Sequence, residues 1–120
     1  MLIPQVITQA LQTGRIDIQN REPIRDYLYV EDLVEALRMV VETDATRAET
    51  LNVGSGLGIQ TGTLADHLAA LLGVPVRCLD QPVTGSRALI ADTRKLRRLT
   101  GWAPTVPFEE GLARTVASYR

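Results

Sequence analysis

Arg25-Asp26, standing directly before Tyr27-Leu28-Tyr29, is the residue pair best suited to hold an anion. A guanidinium presents a planar fork of donors that matches a phosphate, and a carboxylate beside it can orient that fork. The commoner role of such a pair is a surface or structural ion pair. Gly54-x-Gly56-x-Gly58 is the second candidate. A strand pattern precedes it, a helix and a further strand follow, and Asp80 sits just past that strand, a layout that mimics a dinucleotide-binding fingerprint. The fingerprint needs its third glycine one position later and the helix opening at once, so that helix amides meet the pyrophosphate. Ile59 stands at that position, and a plain strand-to-loop turn is the alternative reading.

Other reactive side chains are isolated. Arg94, Lys95, Arg97 and Arg98 cluster on one short helix and read as a solvated face. His67 has no second His or Cys at ligand spacing, and Cys78 has no cysteine with which to pair. A tyrosine four residues ahead of a lysine is missing, since Tyr27 is followed at that spacing by Glu31 and Tyr29 by Leu33. No serine nucleophile elbow is present either, so no catalytic residue is assigned.

The elements that must position these residues follow from apolar spacing. Ile3, Val6, Ile7, Ala10 and Leu11 predict a short amphipathic helix closed by Gly14, and Arg15 to Ile18 alternates as a strand. Tyr27 to Val30 is expected to be extended. From Glu31 to about Thr43, Leu33, Ala36, Leu37, Val40 and Val41 form one stripe, with Glu31 and Asp32 in the first turn, where the helix dipole favours carboxylates. Thr50 to Val53 reads as a strand entering the glycine loop. Thr61 is placed to cap a helix through about Leu72 that stops at Gly73. Val76 to Leu79 and Ala88 to Ile90 read as strands around an exposed loop at Asp80 to Ser86. Asp92 is placed to cap Thr93 to Thr100, and a last helix carries Phe108, Leu112, Val116 and Tyr119 on one face.

The 120 residues suffice for one domain, 1–120, with a single core. Thirteen basic against fourteen acidic residues give a formal charge of −1, and five aromatic residues are too few for a base-stacking surface, so nucleic acid is not an expected partner. No apolar run approaches the roughly 18 residues that cross a bilayer, and the N-terminal residues lack a signal-peptide pattern. A cytoplasmic protein with no membrane partner and no metal is expected.

Five blocks, taken together and in order, carry a resemblance. They are Arg25-Asp26-Tyr27-Leu28-Tyr29-Val30-Glu31-Asp32 with Leu33 to Leu37, Leu51-Asn52-Val53-Gly54-Ser55-Gly56, Asp92-Thr93-Arg94-Lys95-Leu96, Gly101-Trp102-x-Pro104, and Glu109-Glu110-Gly111-Leu112. In this order the chain resembles the C-terminal part of the extended short-chain dehydrogenase/reductases, the NAD-dependent nucleotide-sugar epimerases and dehydratases. The resemblance implies a small mixed α/β domain of about five helices and short strands, the C-terminal lobe without the N-terminal Rossmann lobe that holds NAD and the catalytic tyrosine and lysine. It also implies that no cofactor is bound by this chain alone and that the partner is a nucleotide diphosphate sugar.

Carried over by position, Arg25 resembles the arginine that pairs with the substrate diphosphate. The family's second phosphate arginine lies in Arg-Pro-Gly-Asp, where this chain reads Gln81-Pro82-Val83-Thr84-Gly85, and Arg87 is the substitute from a shifted position. A family Gly-x-Gly turn is replaced by Gln19 and Arg21. The helix at Glu31 to Thr43 and the strand at Leu51 to Val53 resemble pieces that pack on the Rossmann lobe. The alternatives are a non-catalytic module that self-associates through the apolar faces of Glu31 to Thr43 and Phe108 to Tyr119, as a homo-oligomer, and a minimal NAD-binding unit at Gly54 to Gly58.

Overall fold

The computed structural model describes residues 2–120. Helix α1 (Leu2–Thr13) leads through Gly14 into strand β1 (Ile16–Ile18), and β2 (Ile24–Arg25) follows a loop. Helix α2 (Val30–Glu42) ends in a 3-10 turn at Asp44–Thr46. Strand β3 (Ile59–Gln60) runs straight into α3 (Thr61–Leu72). Then come β4 (Val76–Cys78), β5 (Ala88–Leu89), α4 (Arg94–Thr100) and α5 (Phe108–Ala117). The sheet is in two pieces. Parallel β1 and β4 pair Ile16 with Val76 and Ile18 with Cys78, while β2 lies between antiparallel β3 and parallel β5. Five helices on short mixed strands make this an α/β domain.

Two apolar clusters hold it. The larger joins Val6, Ile7 and Ala10 of α1 to Ile16 and Ile18 of β1, Leu64 and Leu68 of α3, and Leu112 and Val116 of α5. The periodicities of 3.6 and 2 that predicted these elements place these residues on one inward side. The smaller cluster sets Ala36 of α2 against Leu96 of α4 and Trp102.

Several expectations are corrected. Helix α5 buries Leu112 and Val116 in the larger cluster, so its apolar face is not free for self-association. On α2 the stripe splits. Asp32 and Ala36 face inward, because Trp102 and Leu96 lie there, while Leu37 is 52% and Val41 85% exposed, with Val30, Leu33 and Val34 on the same outer side. Leu51 to Val53 is not a strand, since no neighbouring strand pairs with it. The paired strand near Arg25 ends at Arg25 itself, and Tyr27 to Tyr29 is unpaired chain leading to a helix that starts at Val30. Thr61 lies inside α3, its N–H and hydroxyl both donating to the Pro23 carbonyl at 2.8 and 3.0 Å. Asp92 stands one residue before the Thr93 cap and accepts the Arg94 N–H at 3.2 Å. No helix among the described residues is long and apolar enough to cross a membrane.

Asp32 fastens the C-terminal third of the chain. Its carboxylate accepts the Thr105 N–H at 3.1 Å, the Thr105 hydroxyl at 2.9 Å and the Val106 N–H at 3.0 Å. Its backbone carbonyl accepts the buried Trp102 indole N–H at 3.1 Å. Burial opposes ionisation of Asp32, but the Val106 and Thr105 donors outweigh it and hold the carboxyl below the ordinary carboxylate range. A depressed carboxyl stabilises the fold above its unfolded-state value, near pH 4, and that stabilisation is lost as pH falls through the folded value. Asp32→Ala is therefore expected to cost about 2–4 kcal/mol in chemical denaturation at pH 7. In the same measurement repeated from pH 6 to pH 2, Asp32→Asn is expected to lose less stability on acidification than the unaltered chain.

Candidate functional site

Strand β2 ends at Arg25, and the chain continues unpaired through Tyr29, with Arg25, Asp26 and Tyr27 all reaching the same cleft. The cleft, of about 790 Å³, lies between α1, β1 and the loop at Pro82 to Thr84. The half-buried Arg25 guanidinium donates through Nη1 to the Ile24 carbonyl at 2.8 Å and meets no carboxylate among the described residues. It is the one Lys or Arg lining this cleft. A second, apolar cavity of about 280 Å³ lies behind Tyr27, walled by Leu57, Val106 and Phe108, and has no charged side chain in its lining. The Tyr27 hydroxyl is buried without a partner among the described residues, and burial pushes its pKa up, so it remains a protonated donor at neutral pH.

Asp26 does not orient Arg25. Its carboxylate is turned to the glycine loop, where Oδ1 accepts the Ser55 N–H at 2.8 Å and the Ser55 hydroxyl at 2.6 Å. Oδ2 accepts the Gly56 N–H at 2.9 Å and the Ala91 N–H at 3.2 Å. The loop amides that would meet a dinucleotide phosphate are thus taken by a side chain of the same protein. The glycines are there for close approach. A Cβ at Gly54 would stand 2.6 Å from Ala91 Cβ and 2.8 Å from Asp26 Oδ2, and one at Gly58 would stand 2.6 Å from Ile24 Cγ2. The loop packs against the β2 and β5 region and does not open a helix, which starts only at Thr61. Gly54 to Gly58 therefore does not fit NAD.

Arg87 stands just before β5, its carbonyl accepting the Ile24 N–H at 2.7 Å, two residues from the Leu89 that pairs with Arg25. The Arg87 guanidinium points to Glu22 Oε2 at 2.9 Å, with the two side chains 74% and 68% exposed, and it is not part of the cleft wall. Arg21, which replaces a family glycine, is bound to Asp66 on α3 at 2.6 Å. On α4, Arg94 is held by Asp92, Lys95 by Glu49, and Arg97 by Thr93 and the Ser55 carbonyl.

The sequence reading missed the α1 and β1 side of the cleft. Gln5 and Gln9 line it, as do Asp17 and Asn20. The signal was present, since two amides four residues apart mark a polar edge on an otherwise apolar helix.

A family model described as GDP-mannose 4,6 dehydratase matches residues 1–115. The chain belongs to this family of extended short-chain dehydrogenase/reductases. A dTDP-glucose 4,6-dehydratase of Salmonella typhimurium is 35% identical over 98% of the chain, which spans 36% of that relative's length. The UDP-glucose 4-epimerase of Thermotoga maritima, solved with UDP-glucose, superposes on all of the chain with a TM-score of 0.85 at 29% identity. A dTDP-glucose 4,6-dehydratase from Bacillus anthracis, solved with NAD, covers 99% with a TM-score of 0.84 at 25% identity. The chain spans 39% of each of these two structures.

The Asp26 arrangement generates a direct test. Asp26→Ala is expected to destabilise the chain by about 2–3 kcal/mol, the range for hydrogen bonds to a charged acceptor. Hydrogen exchange at Ser55, Gly56 and Ala91 is expected to accelerate together, and slow exchange at those three amides in the variant would contradict the assignment.

Proposed function

We propose that this chain is the nucleotide-sugar-binding region of an NAD-dependent epimerase or dehydratase. The observation that carries this reading is the half-buried Arg25 guanidinium, unpaired by any described carboxylate, in a cleft large enough for a nucleotide. A half-buried cation with no carboxylate partner is only partly compensated, and a diphosphate would supply the missing charge. Asp17, the other acid on that wall besides Asp26, is held below the ordinary range by hydrogen bonds from Arg15 and then Arg77, against the effect of burial, so its charge is already answered. Arg87 is the second phosphate ligand of this reading. What supports this is that its bond to Glu22 is an exposed ion pair of the kind that exchanges readily and that it precedes the strand paired with β2.

The chain's contribution is positioning. Holding the diphosphate fixes the sugar relative to whatever carries out hydride transfer, and that effect lowers the barrier through orientation rather than bond-making. NAD and the catalytic residues belong, in this reading, to a Rossmann lobe. The outer face of α2 and the unpaired Leu51 to Val53 segment are where that lobe would cover apolar surface and complete a sheet. The reading carries with it a cytoplasmic location.

Two measurements check it. Titration of UDP into the chain is expected to show binding that Arg25→Ala weakens by about 1.5–3 kcal/mol, and that Arg25→Lys does not fully restore, because an ammonium lacks the fork. An unchanged affinity in Arg25→Ala removes Arg25 from the site. With NAD and nucleotide sugars added to the chain alone, no turnover is expected, and measurable turnover overturns the positioning role.

The exposed row Val30, Leu33, Val34, Leu37 and Val41 on α2 favours one further reading, self-association of the chain on its own. Sedimentation is then expected to show a concentration-dependent dimer that Leu37→Glu with Val41→Glu dissociates. A strict monomer at high concentration would exclude it.

A further inference from the structure

Once the diphosphate is assigned to Arg25, the nucleoside is left to the α1 and β1 side of the cleft, and this inference rests on that reading. The groups on that side differ in how free they are. The Asp17 carboxylate is engaged by Arg15 Nε at 2.9 Å and Arg77 Nη2 at 3.1 Å. Asn20 is used at both ends, its Oδ1 accepting the Glu22 N–H and its Nδ2 donating to the Gln81 carbonyl, each at 2.8 Å. Gln5 is exposed and can present either end of its amide. Gln9 is different. Its Oε1 accepts the backbone N–H of Asp17 at 3.0 Å, so the amide cannot turn over without setting its own NH₂ against that N–H. Its Nε2 has no partner among the described residues, and both Gln9 and Asp17 line the cleft. The cleft wall therefore carries one amide fixed with its donor end available.

We propose that Gln9 is a specificity-determining residue that selects the base of the nucleotide by donating to a ring carbonyl. A fixed donor at the exocyclic edge matches O4 of uracil or thymine or O6 of guanine, the position at which uracil and cytosine differ, since both carry the O2 carbonyl. It opposes the exocyclic amino group of cytosine or adenine, which also donates, and two facing donors leave both unsatisfied. Gln9 does no chemistry; its contribution is to reject the wrong nucleotide before the diphosphate is seated.

UDP and CDP make the test, because they share ribose and diphosphate and differ only on the base edge. The unaltered chain is expected to bind UDP about tenfold more tightly than CDP, the effect of one good hydrogen bond replaced by a clash of donors. Gln9→Glu keeps an oxygen for the Asp17 N–H and puts an acceptor where the donor stood. It is expected to weaken both nucleotides by charge repulsion and to shift the ratio toward CDP. Gln9→Leu, similar in size, is expected to bring the ratio to about one and serves if the glutamate variant does not fold. Arg25→Ala is expected to weaken both nucleotides alike and leave their ratio intact. Equal binding of UDP and CDP by the unaltered chain, or a ratio that neither Gln9 variant moves, overturns the role of Gln9 while an Arg25 effect leaves the diphosphate reading standing. Failure of both nucleotides to bind overturns the Gln9 role and the diphosphate reading together.

Discussion

The cleft depends on one carboxylate being satisfied by donors from distant parts of the chain. Asp26 collects the Ser55 and Gly56 amides, the Ser55 hydroxyl and the Ala91 amide. With both oxygens hydrogen-bonded to the loop and to Ala91, it makes no hydrogen bond to the arginine beside it in sequence. Asp26 is thus held by residues remote in sequence, and Arg25 is left with no carboxylate partner among the described residues. The glycine loop is the anchor for the residue that leaves Arg25 available. A hydrogen-bonded charge held this way is rigid, since releasing it would leave several donors and an acceptor unsatisfied together.

Asp32, six residues on, repeats the device for the C-terminal segment and closes the smaller apolar cluster over Trp102. The two carboxylates divide the work. Asp26 ties the middle of the chain to β2 and the segment after β5, and Asp32 ties the last third to α2. Between them lie only Tyr27 to Glu31, so one short stretch fixes where three remote loops go. That economy explains why a domain with strands of two or three residues holds a defined shape. Its ladders are too short to specify register by themselves, and side-chain acceptors take over part of that task.

Much of this was legible in the sequence and some of it was not, for identifiable reasons. The helices were legible because their apolar spacing is regular, as at Val6, Ile7 and Ala10 or Leu64 and Leu68. Arg25 was legible as a candidate by its chemistry and by resemblance, and the structure shows it half-buried in a cleft without a carboxylate partner among the described residues. The partners of Asp26 were not legible, because adjacency in sequence suggests contact while its donors, at Ser55, Gly56 and Ala91, lie far along the chain. The inward side of α2 was misread for a related reason. Periodicity reports an apolar stripe without saying which neighbour covers it, and here Ala36 meets Trp102 while Leu37 and Val41 meet none of the described residues closely enough to be buried. The strand reading of Leu51 to Val53 rested on β-favouring residues, yet a strand exists only when another pairs with it.

These last two departures belong together. An outward apolar row on α2 and an unpaired extended segment share one physical meaning, namely that both lack the surface that would satisfy them. Apolar side chains at Val34 and Val41 gain by being covered, and the backbone of residues 51–53 gains by pairing. The cleft that holds Arg25 differs, with Asp17, Asn20 and Asp26 answered from within the chain while the Arg25 guanidinium has no carboxylate and the fixed Gln9 amide keeps a free donor. The same short domain is therefore satisfied by its own side-chain acceptors at Asp26 and Asp32 and left uncovered along the outer face of α2 and residues 51–53.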